Sequence, residues 1–445
     1  MGISLTKQLE KEHTKPDITI IESNFETYQS LTSGKMDIRV IHGEGADPQK
    51  LIEANIGDTD ILIAVTAKDE LNILTCHLAA KYQVPTRVAR LISPKYTQEI
   101  FELEKLGVTD IIQPETETME YILEYIRTPS VSELVDFHKA RIALRNFAVH
   151  PSSPIVHKTA SEISAMEGMD HILFLMIYRN QEALIPRGDT EILPHDEIVT
   201  IMPHHKLPNF QKICIASEER IQKVTLCGDT PMAVALAAQL EKQGKKVTLI
   251  SEDASFCHIC AENLHGTDVF HGDPGNEETL IEAGVHSAEI FVSLGKNGEE
   301  NVMTSLLAKA EGAQRVLAVT NNQKHAQLFH TLGIDLLIQP TSLTIHRLFS
   351  DITGISRKSI FKSRKNDAGM NRFSLGENSK LAGESVVSVR AKAKAKVDFI
   401  IACLVRDETF HVVRGDTVFA PGDTIMVFFT ANNEKAVNRF FEKNV

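Results

Sequence analysis

The residues Gly228-Asp229-Thr230-Pro231-Met232-Ala233 follow a short apolar run at 223–227 and lead into a helical pattern. In a parallel α/β sheet such a turn lets the backbone approach phosphates, and the helix N-terminus adds unpaired N–H groups and a positive dipole end. An acid at the end of the next strand then takes the ribose hydroxyls. Only the first glycine, Gly228, is present. Thr230 stands at the second position, Ala233 at the third, and Pro231 removes an N–H near the helix start. Aligning residues 17–22 with 246–251 puts Ser251 opposite Glu22, with Glu252 one residue later. A one-residue shift reverses side-chain direction in a strand. The acid is therefore in place at Glu22 and displaced at Glu252.

Other positions have the same chemistry. Gly43-Glu44 and Gly272-Asp273 each follow a short run, where backbone and acid could meet an adenine; the plainer reading of Gly43 is turn formation. Thr66, Asp69 and Asn72 follow the next run, with Gly295, Gly298 and Asn301 as counterparts. For Thr66 and Asp69 the plainer reading is helix capping. Arg87 and Arg90 could reach phosphate or pair with surface acids. His42 and His271 are candidate acids or bases, but their recurrence points to a structural turn. Cys257 and Cys260 form a lone CxxC, which is weak evidence for zinc without a second pair. Neither a metal nor a catalytic set is expected.

These candidates come in pairs because the chain is an internal duplication. His42-Gly43, residues 51–54 (LIEA), Glu70 and Asn72 all reappear 229 positions later, with no gap needed. Arg87-Val88 matches Arg315-Val316 at 228, and Gln113-Pro114 matches Gln339-Pro340 at 226. Arg187-Gly188-Asp189-Thr190 returns at 414–417, and Pro194 and Asp196 return as Pro421 and Asp423. Residues 17–22, 38–41 and 61–66 read as strands, alternating with helical stretches at 70–81 and 97–105. That alternation means βαβ units and a parallel sheet. The second part of each copy reads as a small α+β domain: strands at 172–177, 182–185 and 197–202, then 398–405, 410–413 and 424–429, separated by turn chemistry. The expected domains are 1–128 and 221–354 (parallel α/β) and 129–213 and 370–445 (small α+β), with a basic, solvated linker at about 356–372.

The first copy begins differently. Gln8-Leu9-Glu10 aligns with Gln239-Leu240-Glu241, so Gly2 aligns with Ala233 and counterparts of residues 223–231 are missing. Either the start lies upstream or this copy has lost its first strand; the first is the expectation, since losing a central strand exposes its neighbours' edges.

Composition narrows the function. The formal net charge is −12 with no long Lys/Arg run, which argues against nucleic acid as a main partner. The longest apolar runs, such as 171–178 (HILFLMIY), are too short to span a bilayer, and no signal-peptide apolar region opens the chain. Six cysteines in 445 residues suit a reducing compartment.

HGE/HGD after the third strand, AVTAKDELN at 64–72, RVARLISPKY at 87–96, LGIDLLIQP at 332–340, SSPIVHKT at 152–159 and the paired RGDT turns together resemble the TrkA family over nearly the whole chain. These are the cytosolic regulatory subunits of bacterial Trk-type potassium uptake systems. The resemblance implies an α/β fold of two Rossmann-like parallel-sheet domains, each followed by a small α+β RCK C-terminal domain. It implies NAD(H) or ATP/ADP as a regulatory ligand and no enzymatic turnover. It implies a homo-oligomer, a tetramer or dimer of dimers, held at the inner face of the cell membrane by an integral-membrane potassium channel or transporter subunit. By position, Gly2 and Glu22 would serve pyrophosphate and ribose, Gly43 and Glu44 would lie near the adenine, Thr66 and Asn72 would line the nucleotide, and Arg90 would lie near phosphate. The weaker second set is Gly228, Glu252, Asp273 and Asn301. Ile92 and Asn322 stand where arginines are common. The alternatives are an NAD-dependent oxidoreductase and a scaffold ring subunit that has lost nucleotide binding.

Overall fold

A computed structural model describes residues 1–9, 16–34, 36–97, 102–127, 131–137, 142–180, 182–214, 221–321, 332–348, 359–362, 368–393, 397–406 and 409–445. The chain divides into two compact units, each assembled from one stretch of each copy: residues 1–127 with 220–354, and 128–219 with 355–445.

In the first unit, copy one runs α1 (Gly2–Leu9), β1 (Thr19–Glu22), α2 (Phe25–Thr32), β2 (Arg39–His42), α3 (Pro48–Glu53), β3 (Ile61–Ala64), α4 (Asp69–Lys81), β4 (Thr86–Arg90), β5 (Asp110–Ile112) and α5 (Pro114–Arg127). The second unit begins with β6 (Val131–Phe137), β7 (Ile142–Ala148), α6 (Ala160–Ser164), β8 (Leu173–Arg179), β9 (Glu182–Leu184), β10 (Glu197–Pro203) and α7 (Leu207–Cys214). Copy two of the first unit follows: β11 (Lys223–Cys227), α8 (Pro231–Lys242), β12 (Lys246–Ser251), α9 (Ala254–Asn263), β13 (Thr267–His271), α10 (Glu277–Glu282), β14 (Ile290–Ser293), α11 (Gly298–Ala310), β15 (Arg315–Val319), β16 (Leu336–Ile338) and α12 (Pro340–Arg347). The chain then returns to the second unit with β17 (Ser359–Lys362), β18 (Ala368–Ser374), α13 (Val386–Lys392), β19 (Phe399–Arg406), β20 (Thr409–Val412), β21 (Thr424–Thr430) and α14 (Glu434–Asn444).

Copy two builds one six-stranded parallel sheet in the order β13-β12-β11-β14-β15-β16. The strand order reverses beside β11, which pairs with β12 on one side and β14 on the other. Helices on both faces bury such strands completely, which is why β14 reads IFVS with every residue buried. Among the described residues, copy one shows the flanks of this sheet without a strand between them. β1 and β2 form one two-stranded sheet, and β3, β4 and β5 form a separate three-stranded one. The edges of β1 and β3 have no partner strand among the described residues. The effect on packing is direct: Ile20, Ile21, Ile61, Leu62 and Ile63 are only half-buried, while their counterparts Leu249, Ile250, Ile290, Phe291 and Val292 are buried. Full burial of such a side chain stabilises by about 1.5–3 kcal/mol, so copy one forgoes part of that at each position.

Strand register corrects one repeat offset. Ile61 pairs with Thr86 and Ile290 pairs with Arg315, so β4 and β15 keep the 229 offset. The counterpart of Arg87 is Val316, not Arg315; the shared Arg-Val dipeptide misplaces the match by one residue. The expected helix at 97–105 also differs. Residues 94–97 form a 3-10 turn, 103–107 form turns, and 98–101 lie outside the described residues. Between the two copies, α5 packs on α12, where the Thr344 hydroxyl donates to Glu117 at 2.8 Å.

The second unit holds two five-stranded sheets, ordered β6-β7-β10-β8-β9 and β17-β18-β21-β19-β20. Leu144, Leu175, Val199, Met370, Ala402 and Phe428 meet in one apolar cluster drawn from both. The expected linker at 356–372 is corrected here. Residues 359–362 and 368–374 are strands, and β18 pairs along its whole length with β21. Residues 356–358 and 363–367 lie outside the described residues. The basic residues concealed the strand, because Arg372 is carried inward and burial lowers its pKa.

The repeated turns have a cause that turn chemistry did not reveal. Asp196 accepts from the Leu193 N–H at 2.8 Å and takes a two-pronged Arg179 guanidinium at 2.9 and 2.7 Å. Asp423 does the same with the Ala420 N–H and Arg406. Both carboxylates are buried. Burial opposes ionisation of Asp423, but Arg406, the Ala420 N–H and His411 outweigh it and hold the carboxyl below its usual range. A depressed folded-state pKa stabilises above the unfolded value, near pH 4, and that stability is lost as pH falls through the folded value. Asp423→Asn is therefore expected to cost about 2–3 kcal/mol at neutral pH. It should also flatten the acid limb of a stability–pH curve measured by urea unfolding; an unchanged acid limb would refute this.

Candidate functional site

The strand ends of copy one converge on Asn72, which is fully buried in α4. Its Oδ1 accepts from the Thr66 N–H (2.9 Å) and the Thr66 hydroxyl (2.7 Å). Its Nδ2 donates to the carbonyls of Thr66 (3.1 Å) and Arg90 (2.8 Å). One amide thus clips the end of β3 to the end of β4 and fixes where Arg90 leaves the sheet. Asn301 repeats the clip, with Oδ1 accepting from Gly295 N–H and Nδ2 donating to the carbonyls of Gly295 and Val319, all at 2.8 Å. A Cβ on Gly295 would come within 2.8 Å of that Oδ1. In copy one Thr66 occupies this position, and its hydroxyl is itself a partner of the amide.

Around this clip the described residues form two groups. On the β3–β4 side are Thr66, Asn72 and Arg90. The Arg90 guanidinium pairs with Glu115 at the start of α5, Nη2 to Oε1 at 3.1 Å. The Arg90 Nε and the Glu115 Oε2 are both buried with no hydrogen-bond partner among the described residues. A buried guanidinium N–H without an acceptor costs free energy, and so does a buried carboxylate oxygen without a donor; an acceptor would satisfy Arg90 and a donor Glu115. On the β1–β2 side, the Gly43 N–H donates to the Glu22 carbonyl at 3.0 Å, while the Glu22 carboxylate accepts from Asn24 N–H at 2.8 Å. Glu44 is exposed just beyond. Gly43 is needed for close approach rather than for an unusual φ: a Cβ there would meet the Lys50 side chain at 2.7 Å. Gly2, in the first turn of α1, lies over Val65, to which a Cβ would come within 3.5 Å.

Copy two closes its own turn. Gly228 has φ of +130°, and a Cβ would meet Gly295 N and Leu294 C at 2.6 Å. The Thr230 hydroxyl donates to the Leu294 carbonyl at 3.0 Å and accepts from Ala233 N–H, capping α8. Asp229 and Lys296 form an ion pair across the mouth at 2.5 Å. A phosphate at this helix start would meet the Asp229 carboxylate. Ser251 is buried at the strand end and turns its hydroxyl to the Asp253 N–H, while Glu252 and Asp273 are exposed. Asn322 lies outside the described residues.

Two roles escaped sequence reasoning. Asp69 does not cap α4; its buried carboxylate accepts from the Ile92 and Ser93 N–H groups at 2.9 and 2.8 Å, holding the loop after β4. Its counterpart Gly298 has no side chain, and a Cβ there would strike Thr320. Glu115 gave no signal beyond helix-start acidity. Each histidine places Nε2 against a backbone carbonyl, His42 on Ser23 at 3.2 Å and His271 on Glu252 at 3.1 Å. Those nitrogens must be protonated donors there, which is a turn anchor.

Cys257 and Cys260 sit on the inner side of α9, and burial raises both thiols, Cys260 to about 11. Burial likewise pushes Cys76 and Cys227 up to about 12. All six cysteines are buried and free. Among the described residues, no group of three His, Cys, Asp or Glu is placed to hold a metal.

Two outcomes follow. Asn72→Ala and Asn301→Ala each strand several backbone groups and should lower stability by about 2–3 kcal/mol in urea unfolding. The native thiols should react with a disulfide reagent at pH 8 far more slowly than after guanidinium unfolding, when all six should titrate. Fast native labelling would contradict their placement.

Comparison with known proteins extends this geometry. The TrkA-N domain model matches residues 1–114 and 224–340, and the TrkA-C domain model matches 144–214 and 370–442. A protein named Trk system potassium uptake protein TrkA, from Vibrio alginolyticus, is 28% identical over 447 residues, covering 98% of this chain and 95% of that one. The crystal structure of the GsuK RCK domain aligns with a TM-score of 0.61 at 16% identity, covering 100% of this chain and 93% of that one. The structure titled GsuK channel bound to NAD aligns with a TM-score of 0.60 at 16% identity, covering 100% of this chain and 77% of that one. At these identities the solved structures share the fold.

Proposed function

The chain belongs to the TrkA family, and from that premise we propose that it is a regulatory component of a potassium uptake system, gating a membrane-embedded partner and not catalysing a reaction. Its curated relative is named for that system. The proposed site of action is the cytoplasmic face of the membrane, reached through the partner; among the described residues no helix is long and apolar enough to cross a membrane. The proposed assembly is a homo-oligomer, a tetramer or dimer of dimers.

The proposed ligand is NAD(H) or ATP/ADP, held by copy one. The observation that carries this is the Arg90–Glu115 pair with its two unsatisfied buried atoms at the ends of β4 and β5. Arg90 would take a phosphate, Glu22 the ribose, and Gly43 and Glu44 the adenine side, with Gly2 at the helix start. Thr66 and Asn72 would act by fixing the strand ends. A related fold carries NAD in the GsuK channel. For copy two, with Gly228, Glu252, Asp273 and Asn301, the scaffold reading is favoured by the Asp229–Lys296 ion pair and the capped α8. The oxidoreductase reading is weakened because its two candidate acids or bases, His42 and His271, each place Nε2 against a backbone carbonyl. A ligand with different affinity for two arrangements of the assembly shifts their balance, tenfold for each 1.4 kcal/mol or so.

Calorimetric titration with ATP, ADP, NAD and NADH tests this. One site per chain is expected. Arg90→Ala should weaken it by about tenfold or more, while Lys296→Ala should leave it unchanged. No binding by any of the four supports the scaffold reading, and hydride transfer from NADH to carbonyl substrates would sink the regulatory one.

A further inference from the structure

Among the described residues, the second unit exposes two large apolar side chains, Val387 at 62% and Val418 at 50%, and both belong to copy two. They sit together. Ser385, the N-cap of α13, bridges to Val418 in antiparallel register, and the Val387 N–H donates to the Gly415 carbonyl at 3.0 Å. Gly415 lies so close that a Cβ would meet Val387 Cγ2 at 2.9 Å. Arg390 is one helical turn after Val387, on the same side of α13, and Arg414 opens the turn that holds Gly415. Both arginines are exposed, and among the described residues neither is in an ion pair.

Copy one builds the same frame with different side chains. Its cap, Thr159, bridges to Glu191 as Ser385 does to Val418. Counting from the caps, Ser161 stands for Val387 and Ser164 for Arg390, with Glu191 for Val418. Gly188 agrees with that match, since a Cβ there would strike the Ser161 hydroxyl at 2.5 Å. Two serines and an acid have thus become two valines and an arginine. The local charge reverses with them. Residues 380–396 hold Lys380, Arg390, Lys392, Lys394 and Lys396 against Glu384, in a chain of net charge −12. The matching residues 154–170 hold Lys158 against Glu162, Glu167 and Asp170. Lys392 engages Glu384 at 2.7 Å, which leaves the charge of Arg390 uncompensated on α13.

Cations beside exposed apolar side chains suit a surface that is anionic at its face and apolar just beneath. We propose that this patch docks on anionic lipid headgroups, with Arg390 and Arg414 at the phosphates and Val387 and Val418 against the apolar boundary. The inference rests on the membrane-side location proposed above and names a surface for it. The valines select lipid over an acidic protein segment: the cations alone would meet such a segment, and the serines of copy one would serve it as well. Two valines are a shallow anchor, so the contact is weak and salt-sensitive. It orients a chain that its partner already holds at the membrane, where a weak second contact gains from high effective concentration.

The test floats the full chain with vesicles of phosphatidylcholine alone and of phosphatidylcholine mixed equally with phosphatidylglycerol. Binding is expected to the mixed vesicles and not to the neutral ones, and it should fall as salt rises. Arg390→Gln with Arg414→Gln should weaken it about twentyfold, roughly fivefold for each cation removed. Val387→Ser with Val418→Glu, the copy-one residues, should weaken it at least about fivefold. The urea midpoint should stay in place, because all four side chains are exposed. Equal binding to both vesicles, binding unmoved by either double variant, or no binding at all overturns the lipid assignment. A chain that ignores both vesicles but binds a polyglutamate peptide through the same arginines gives the patch to an acidic segment instead. Nucleotide titration is a separate measurement, so failure here leaves the regulatory reading standing.

Discussion

A parallel sheet depends on its central strand, and the two copies differ most at that point. β11 supplies hydrogen bonds to both β12 and β14, and its side chains help close both faces of the sheet. With it, the neighbouring strands are buried; without it, the matching strands in copy one are half-exposed. The same strand decides where a turn can approach a ligand. In copy two the turn after β11 is pressed against Gly295 and Leu294 and latched by Asp229 and Lys296. In copy one the Arg90 guanidinium lies at the end of β4, paired with Glu115.

The Asn clip is common to both copies and explains why so much else can change. Asn72 and Asn301 hold the ends of neighbouring strands through backbone atoms, so side chains beyond the clip are free to diverge. Arg90 in copy one corresponds to Val319 in copy two, and Asp69 corresponds to Gly298. Those two changes remove a cation and the carboxylate that holds the following loop. The frame survives because no side chain but the amide is needed to keep it.

The architecture was largely legible in the sequence, because its signals are periodic and doubled. Apolar runs alternating with helical stretches identified the parallel units, and repeat offsets placed the counterparts. Three things were not legible. The Arg87 offset slipped because two residues of similarity cannot resolve a one-residue register. β18 was hidden because its basic flank and Arg372 imitate a linker. Asp69, Glu115, Arg179 and Arg406 act on partners 17 to 25 residues away in sequence. Local pattern carries no trace of such a partner, so their acids read as caps or turns.

The second unit shows the same logic with the opposite outcome. There the side chains that matter are paired with one another, Arg179 with Asp196 and Arg406 with Asp423, and both pairs are intact. Losing either member would leave its partner buried or half-buried without compensation, a cost large enough to retain both through divergence. In the first unit the diverged residues include two that the fold itself engages: Asp69, which accepts from the Ile92 and Ser93 N–H groups, gives way to Gly298, and Arg90, paired with Glu115, gives way to Val319. Divergence in the first unit has therefore reached side chains that hold the chain itself, while the second unit keeps both of its ion pairs.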